Sequence, residues 1–196
     1  MDAQLHVFTF KAGLLARLAH DLRLTVQSFD VTLLNGHVDA RFDLRSLMVD
    51  GVAHGEQVDA HTLPDRDKRT IEQTINHDIL MTGTQPSASF AGQVRALGSQ
   101  RYAVEGKLEL RKTLRPLTLE VSVQRGALVA TASLAPSDFG IAPYKALAGA
   151  IRLADRVELR FSAALGGRDP EALLHGTETL HFTPSAGAVA ASGPAH

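Results

Sequence analysis

Tyr102-Ala103-Val104-Glu105-Gly106-Lys107-Leu108-Glu109-Leu110 alternates without a fault: Tyr102, Val104, Gly106, Leu108 and Leu110 take one phase, and Ala103, Glu105, Lys107 and Glu109 take the other. A period of two marks a strand with one face in a core and the other in water. The chain repeats the pattern at once. Leu117, Leu119, Val121 and Val123 oppose Thr118, Glu120, Ser122 and Gln124, with Pro116 at the start. After an Arg125-Gly126 turn, Leu128, Ala130, Ala132 and Leu134 oppose Val129, Thr131 and Ser133. Further on, Val157, Leu159, Phe161, Ala163 and Leu165 face away from Arg156, Glu158, Arg160 and Ser162.

Working back toward the N-terminus, Asn35-Gly36 is a strong hairpin signal, and Val38, Ala40, Phe42 and Leu44 alternate with His37, Asp39, Arg41 and Asp43 behind it. The strand before that turn changes phase, from Leu22, Leu24 and Val26 to Phe29, Val31 and Leu33, so a bulge at Gln27-Ser28 is needed to keep one face inward. With 5–11 and 87–97 the set reaches about eight strands, and an all-β antiparallel barrel follows. At that strand number the interior just holds side chains or one small ligand, and closure removes free edges.

One segment departs from the period of two. From Pro64 to Leu80 the chain opens with acids and spaces Ile71, Ile75 and Ile79 four apart, which predicts one short helix near 65–79 with a narrow apolar stripe, suited to lying over a barrel end as a lid. Residues 13–19 read as a helical turn, 171–174 as another, and Leu180-His181-Phe182 as a short strand. Residues 1–183 then form one barrel domain, and 184–196, rich in Ala, Gly, Ser and Pro, form a disordered tail.

The 196 residues carry a formal net charge of −1 with both signs interleaved, so no field gathers polyanions and nucleic acid is not expected as a partner. Cysteine is absent, which removes disulfides, thiolate metal sites and a cysteine nucleophile. The start of the chain shows neither a basic region nor an apolar run. A cytoplasmic protein is therefore expected, or a periplasmic one if a leader has been removed. No stretch has the ~20 apolar residues of a membrane-spanning helix. There is no Gly-x-Ser-x-Gly elbow, no phosphate-binding loop and no His-Glu-x-x-His, so neither catalysis, a cofactor nor a metal is implied.

Four stretches, in this order, carry a resemblance to a known family: Ala12-Gly13-Leu14-Leu15-Ala16-Arg17-Leu18-Ala19-His20-Asp21; Pro86-Ser87-Ala88-Ser89-Phe90; Val104 to Leu110 followed by Arg115-Pro116-Leu117-Thr118-Leu119; and Ser137-Asp138-Phe139-Gly140-Ile141. Over about residues 5–165 the chain resembles the YceI-like proteins. The resemblance implies a lipocalin-like barrel that binds a polyisoprenoid or another long apolar chain, such as an isoprenoid quinone or a fatty acyl chain. Two departures stand out. Many members carry a secretion signal, and the Gly-rich turn often found before the family's proline is here Arg111-Lys112-Thr113-Leu114-Arg115.

The candidate lining is the apolar phase of the strands: Phe8, Phe10, Val26, Phe42, Phe90, Tyr102, Val104, Leu108, Leu119, Val121, Leu159 and Phe161. The same residues could equally fill a solid core, in which case the protein is an interaction or stress-response module without a small-molecule ligand. Gly92, Gly106, Ala130, Ala132 and Ala163 would leave space in the inward phase and favour a hollow. His20, beside Asp21, and Tyr144 are candidate head-group contacts. For His20 a turn residue with a satisfied ring is the simpler reading, and an enzyme built on His20 and Asp21 ranks last. A homodimer through a sheet edge stays open as a further partner.

Overall fold

The computed structural model describes residues 1–12, 20–142, 144–146, 151–170, 172 and 179–185. In chain order these form β1 (Asp2–Ala12), β2 (Leu22–Val26), β3 (Phe29–Leu34), β4 (His37–Asp43), β5 (Leu47–His54), β6 (Gln57–Asp59), α1 (Asp65–Thr74), β7 (Ser87–Gly98), β8 (Arg101–Leu110), β9 (Thr113–Gln124), β10 (Ala127–Leu134), β11 (Lys145–Ala146), β12 (Ile151–Ala164) and β13 (Leu180–Pro184). The helical turn expected at 13–19, most of that at 171–174, and residues 186–196 of the expected tail lie outside the described residues.

Hydrogen-bonded neighbours run β12-β10-β9-β8-β7-β4-β3-β13-β1, and β1 pairs with β12 to close the ring at nine strands. The ninth is β13. It inserts between the start of β1, parallel at Asp2 and Ala3, and β3, antiparallel from Leu180 to Phe182. Pro184 and Ser185, which composition groups with the tail, belong to this strap: Pro184 sits opposite Ala3, and the Ser185 amide donates to the Ala3 carbonyl at 2.9 Å. Further along β1 the same edge takes β2, at His6 to Thr9, and β5 and β6 continue that branch.

The phase change expected at Gln27-Ser28 is present as a break between β2 and β3. The Gln27 amide donates to the Ser46 carbonyl at 3.1 Å, and the Ser28 carbonyl accepts from the Asp43 amide at 2.9 Å. Leu24 and Val26 before the break and Phe29, Val31 and Leu33 after it are all buried, as the interruption allows. The hairpin residues Asn35 (φ 51°) and Gly36 (φ 74°), and likewise Arg125 (φ 49°) and Gly126 (φ 77°), take the left-handed pair that matches strand twist. Arg111 (φ 50°) and Lys112 (φ 58°) do so without glycine, at a cost of ~1 kcal/mol or more each. Arg111 is tied down by donating to the Gly140 carbonyl at 2.9 Å and to Met81 Sδ at 3.0 Å.

The helix stands where the Ile spacing puts it. Asp65 and Asp67 occupy its first turn, where the macrodipole favours negative charge. Its continuation, Ile75–Ile79, is a π-helical turn, with the Leu80 amide reaching back to the Ile75 carbonyl at 2.8 Å. The wider turn keeps residues four apart on one face, so Ile71, Ile75 and Ile79 all point at the barrel interior. Glu72 anchors the helix by accepting from the Val49 amide of β5 at 2.8 Å.

Candidate ligand cavity

Cross-strand register sets the interior in rows. One row runs Leu5, Phe161, Ala130, Val121, Tyr102; in the next, Val7, Leu159 and Ala132 pair in turn, as do Leu119 and Val104, while Ala132 and Leu119 are not paired. Below them Ala3, Ala163 and Leu128 are buried, and Phe161 meets Phe29 and Phe182 edge to face at 6.1 and 5.9 Å. This end is packed. Above it opens a cavity of about 560 Å³, roofed in part by Leu63, Ile71, Ile75, Ile79 and Leu80.

Of the residues expected to line such a space, Val26, Phe42, Phe90, Val104, Leu108, Leu119, Val121, Leu159 and Phe161 do so, and His20 and Tyr144 stand on its wall as well. Three do not. Phe8 and Phe10 lie on the outer face, because β1 is apolar in both phases and its register turns Leu5, Val7 and Thr9 inward. Phe8 is flanked there by Glu158 and Arg23, and Phe10 carries the Arg156 guanidinium 5.2 Å from its ring centre. Tyr102 has the inward phase but sits at the packed end, 1% exposed, and is core.

The glycines also differ from expectation. A Cβ on Gly106 would lie 2.6 Å from Phe90 Cζ and 2.3 Å from the Ala91 carbonyl oxygen, and one on its partner Gly92 would lie 2.8 Å from the same ring carbon. The paired glycines seat the Phe90 ring and leave no room for a ligand there. Ala130 does border the cavity.

Sequence reading missed much of the wall: Leu22, Leu24, Val31, Leu33 and Val38 are lining residues whose alternation was visible, as was the Ile stripe of the lid. The lining is apolar except for Thr9, His20, Thr70, Thr74 and Tyr144. The hydroxyls of Thr70 and Thr74 donate to the Arg66 and Thr70 carbonyls, both at 3.0 Å, so they are spent within the helix. Asp21 does not engage His20. Its carboxylate accepts from the Lys11 amide at 2.7 Å, and its carbonyl accepts from the Ala53 amide at 2.8 Å. Among the described residues no cluster of three His, Cys, Asp or Glu could hold a metal.

On the outer face, Arg23 Nε donates to Asp50 Oδ2 at 2.6 Å, and Thr25 Oγ1 donates to the same carboxylate at 2.8 Å. His6 Nδ1 lies 2.9 Å from Thr25 Oγ1, whose hydrogen goes to Asp50, so Nδ1 is the donor of that pair. Burial, then the positive charge of Arg23, hold the His6 pKa below its ordinary 6.5 against the opposing pull of Asp50, and Arg160 adds to the lowering. Asp50 is free to serve this cluster because β5 bulges there: Arg23 pairs with Gly51 and Leu24 with Val49, leaving Asp50 between.

A barrel with one packed end and an apolar hollow under a helical lid is a lipocalin-like fold. Residues 6–165 match the family model described as YceI-like domain, and the chain belongs to that family. Among solved structures it is similar to BcnA of Burkholderia cenocepacia, at 16% identity and a TM-score of 0.57, over 83% of this chain and 96% of that one. It is also similar to a polyisoprenoid binding domain from Saccharophagus degradans implicated in plant cell wall breakdown, at 11% identity and a TM-score of 0.50, over 82% and 91%. No curated protein matches the sequence. No helix of the described residues is long and apolar enough to cross a membrane.

Proposed function

We propose that this barrel carries or sequesters a long apolar chain of the polyisoprenoid, isoprenoid-quinone or fatty acyl class. The observation that supports it most is the 560 Å³ hollow, whose walls offer almost nothing to hydrogen-bond water. At ~30 Å³ per water-sized group, such a volume takes on the order of 15–20 carbons, about three to four isoprene units. Burying them contributes up to ~0.8 kcal/mol per methylene before the costs of association. A filled-barrel module would have no use for this space. The family match and the likeness to a polyisoprenoid-binding domain favour the same reading. No reaction is assigned to the site, and a homodimer is an arrangement to test by mass.

Native mass spectrometry of freshly purified protein, followed by solvent extraction, tests the proposal. The expected result is a bound species that extraction releases as an isoprenoid, quinone or acyl chain. An unliganded mass that also ignores added isoprenoid alcohols would overturn it.

A further inference from the structure

The barrel wall is not laced to the same height all round. β8 and β9 stay paired up to Leu110 opposite Thr113, and β10 and β12 up to Leu134 opposite Val157. Between β9 and β10 the ladder stops at Glu120 opposite Thr131. Continued in register, it would join Leu119 to Ala132 and Leu117 to Leu134, but those pairs are open. Pro116, which has no N–H to give a ladder, stands at the end of this unlaced stretch.

A second hollow, of about 350 Å³, lies over that seam. Leu117 and Leu134 line both it and the main cavity. The two spaces therefore share wall residues at the stretch where the β9–β10 ladder has ended. The lining of the second hollow includes two cations, Arg115 and Arg156, and two anions, Asp138 and Asp155. Arg156 is engaged by Glu158 and the Phe10 ring, and Asp155 by the Ser137 amide and hydroxyl. Arg115 donates only to the carbonyls of Asp138 (3.0 Å) and Leu114 (3.4 Å), and the Asp138 carboxylate has no hydrogen-bond partner among the described residues.

We infer that the unlaced half of the β9–β10 seam is a side portal, and that the hollow outside it seats the uncharged, hydrogen-bonding head of a chain held in the cavity. This rests on the carrier reading. A hydroxyl can accept from the Arg115 guanidinium and donate to the Asp138 carboxylate at once. An anionic head gains nothing from a hollow whose charges balance, and it meets Asp138 unshielded.

The test bridges the seam. The chain has no cysteine, so Thr118→Cys with Ser133→Cys places the only two thiols on the outer face across the open stretch. A short bismaleimide joins them, and transfer of retinol from the protein to phosphatidylcholine vesicles is followed by fluorescence. A control bridge joins Glu120→Cys to Thr131→Cys, where the ladder is already closed. The expected result is transfer slowed at least tenfold by the first bridge and unchanged by the second. Equal rates in both bridged proteins overturn the portal. Retinol is further expected to bind at least tenfold more tightly than retinoate at neutral pH, and equal or tighter retinoate binding overturns the head-group assignment. Retinol bound by the unbridged protein separates these outcomes from failure of the carrier reading, since absence of binding in every form overturns that reading and the portal with it.

Discussion

Replacing Ala130 by phenylalanine separates a hollow barrel from a filled one by the sign of two effects. Ala130 lies on β10 between Val121 and Phe161, is 9% exposed, and borders the cavity. A phenyl group adds roughly 100 Å³ at the packing density of protein interiors. That is about a fifth of the 560 Å³ available. It displaces about three methylenes of a bound chain, or ~2.5 kcal/mol at ~0.8 kcal/mol each, which is a loss of affinity approaching a hundredfold. Into a solid core the same ring would be overpacked and cost ~1–3 kcal/mol of stability. Into this cavity it finds apolar walls, so the ligand-stripped variant is expected to unfold in urea no more easily than the parent. Retinol titration by fluorescence supplies the affinity. A variant that is destabilised by ~1–3 kcal/mol while binding retinol as tightly as the parent would refute the reasoning.

Gly106→Ala drives a methyl into the Phe90 ring and the Ala91 carbonyl, so thermal unfolding should report a loss of ~2–3 kcal/mol, far above an ordinary strand substitution. Glu72→Ala frees the Val49 amide and should cost ~1–2 kcal/mol. Trypsin should then cut faster at Arg66, Lys68 and Arg69, and an unchanged digestion rate would show that the lid is held by its Ile stripe alone. The folded His6 ring binds a proton less readily than the same ring in the unfolded chain, because its pKa lies below 6.5. Its contribution to stability is full above that value and is lost as pH falls through it toward the folded pKa. Melting followed from about pH 7.5 to about pH 5 should decline more steeply for the parent than for His6→Gln, and parallel curves would remove His6 from the account.

The strands could be read from sequence because wall residues alternate between solvent and interior, as Val104 to Leu110 does, although Ala103 in the outward phase is buried too. β1 could not be phased: Leu5, Val7, Phe8 and Phe10 supply apolar side chains to both faces, and only the pairing with β12 decides which face is inside. The outward aromatics are kept from bare exposure by Arg23, Glu158 and Arg156. Depth along the barrel was equally invisible. Tyr102 and Val104 share a phase, yet one is packed at the closed end and the other borders the hollow. Gly92 and Gly106 read as missing volume, and the volume was already taken by Phe90, whose ring position no local pattern announces. The seam between β9 and β10 left no trace beyond Pro116, because loss of pairing is a property of two strands and not of either sequence.

β13 also bears on how the molecule comes to be folded. It lies between β1 and β3, so the ring is completed by partners such as Ala3 and Pro184 that are almost the whole described chain apart. Contacts so distant in sequence demand that a large loop be closed before they return any stabilisation, which places the protein among slow, non-local folders with times of the order of milliseconds to seconds. Until β13 docks, the start of β1 and the flank of β3 are bare edges open to another chain. Aggregation during refolding should accordingly track the delay in docking this last strand more closely than it tracks the stability of the finished barrel.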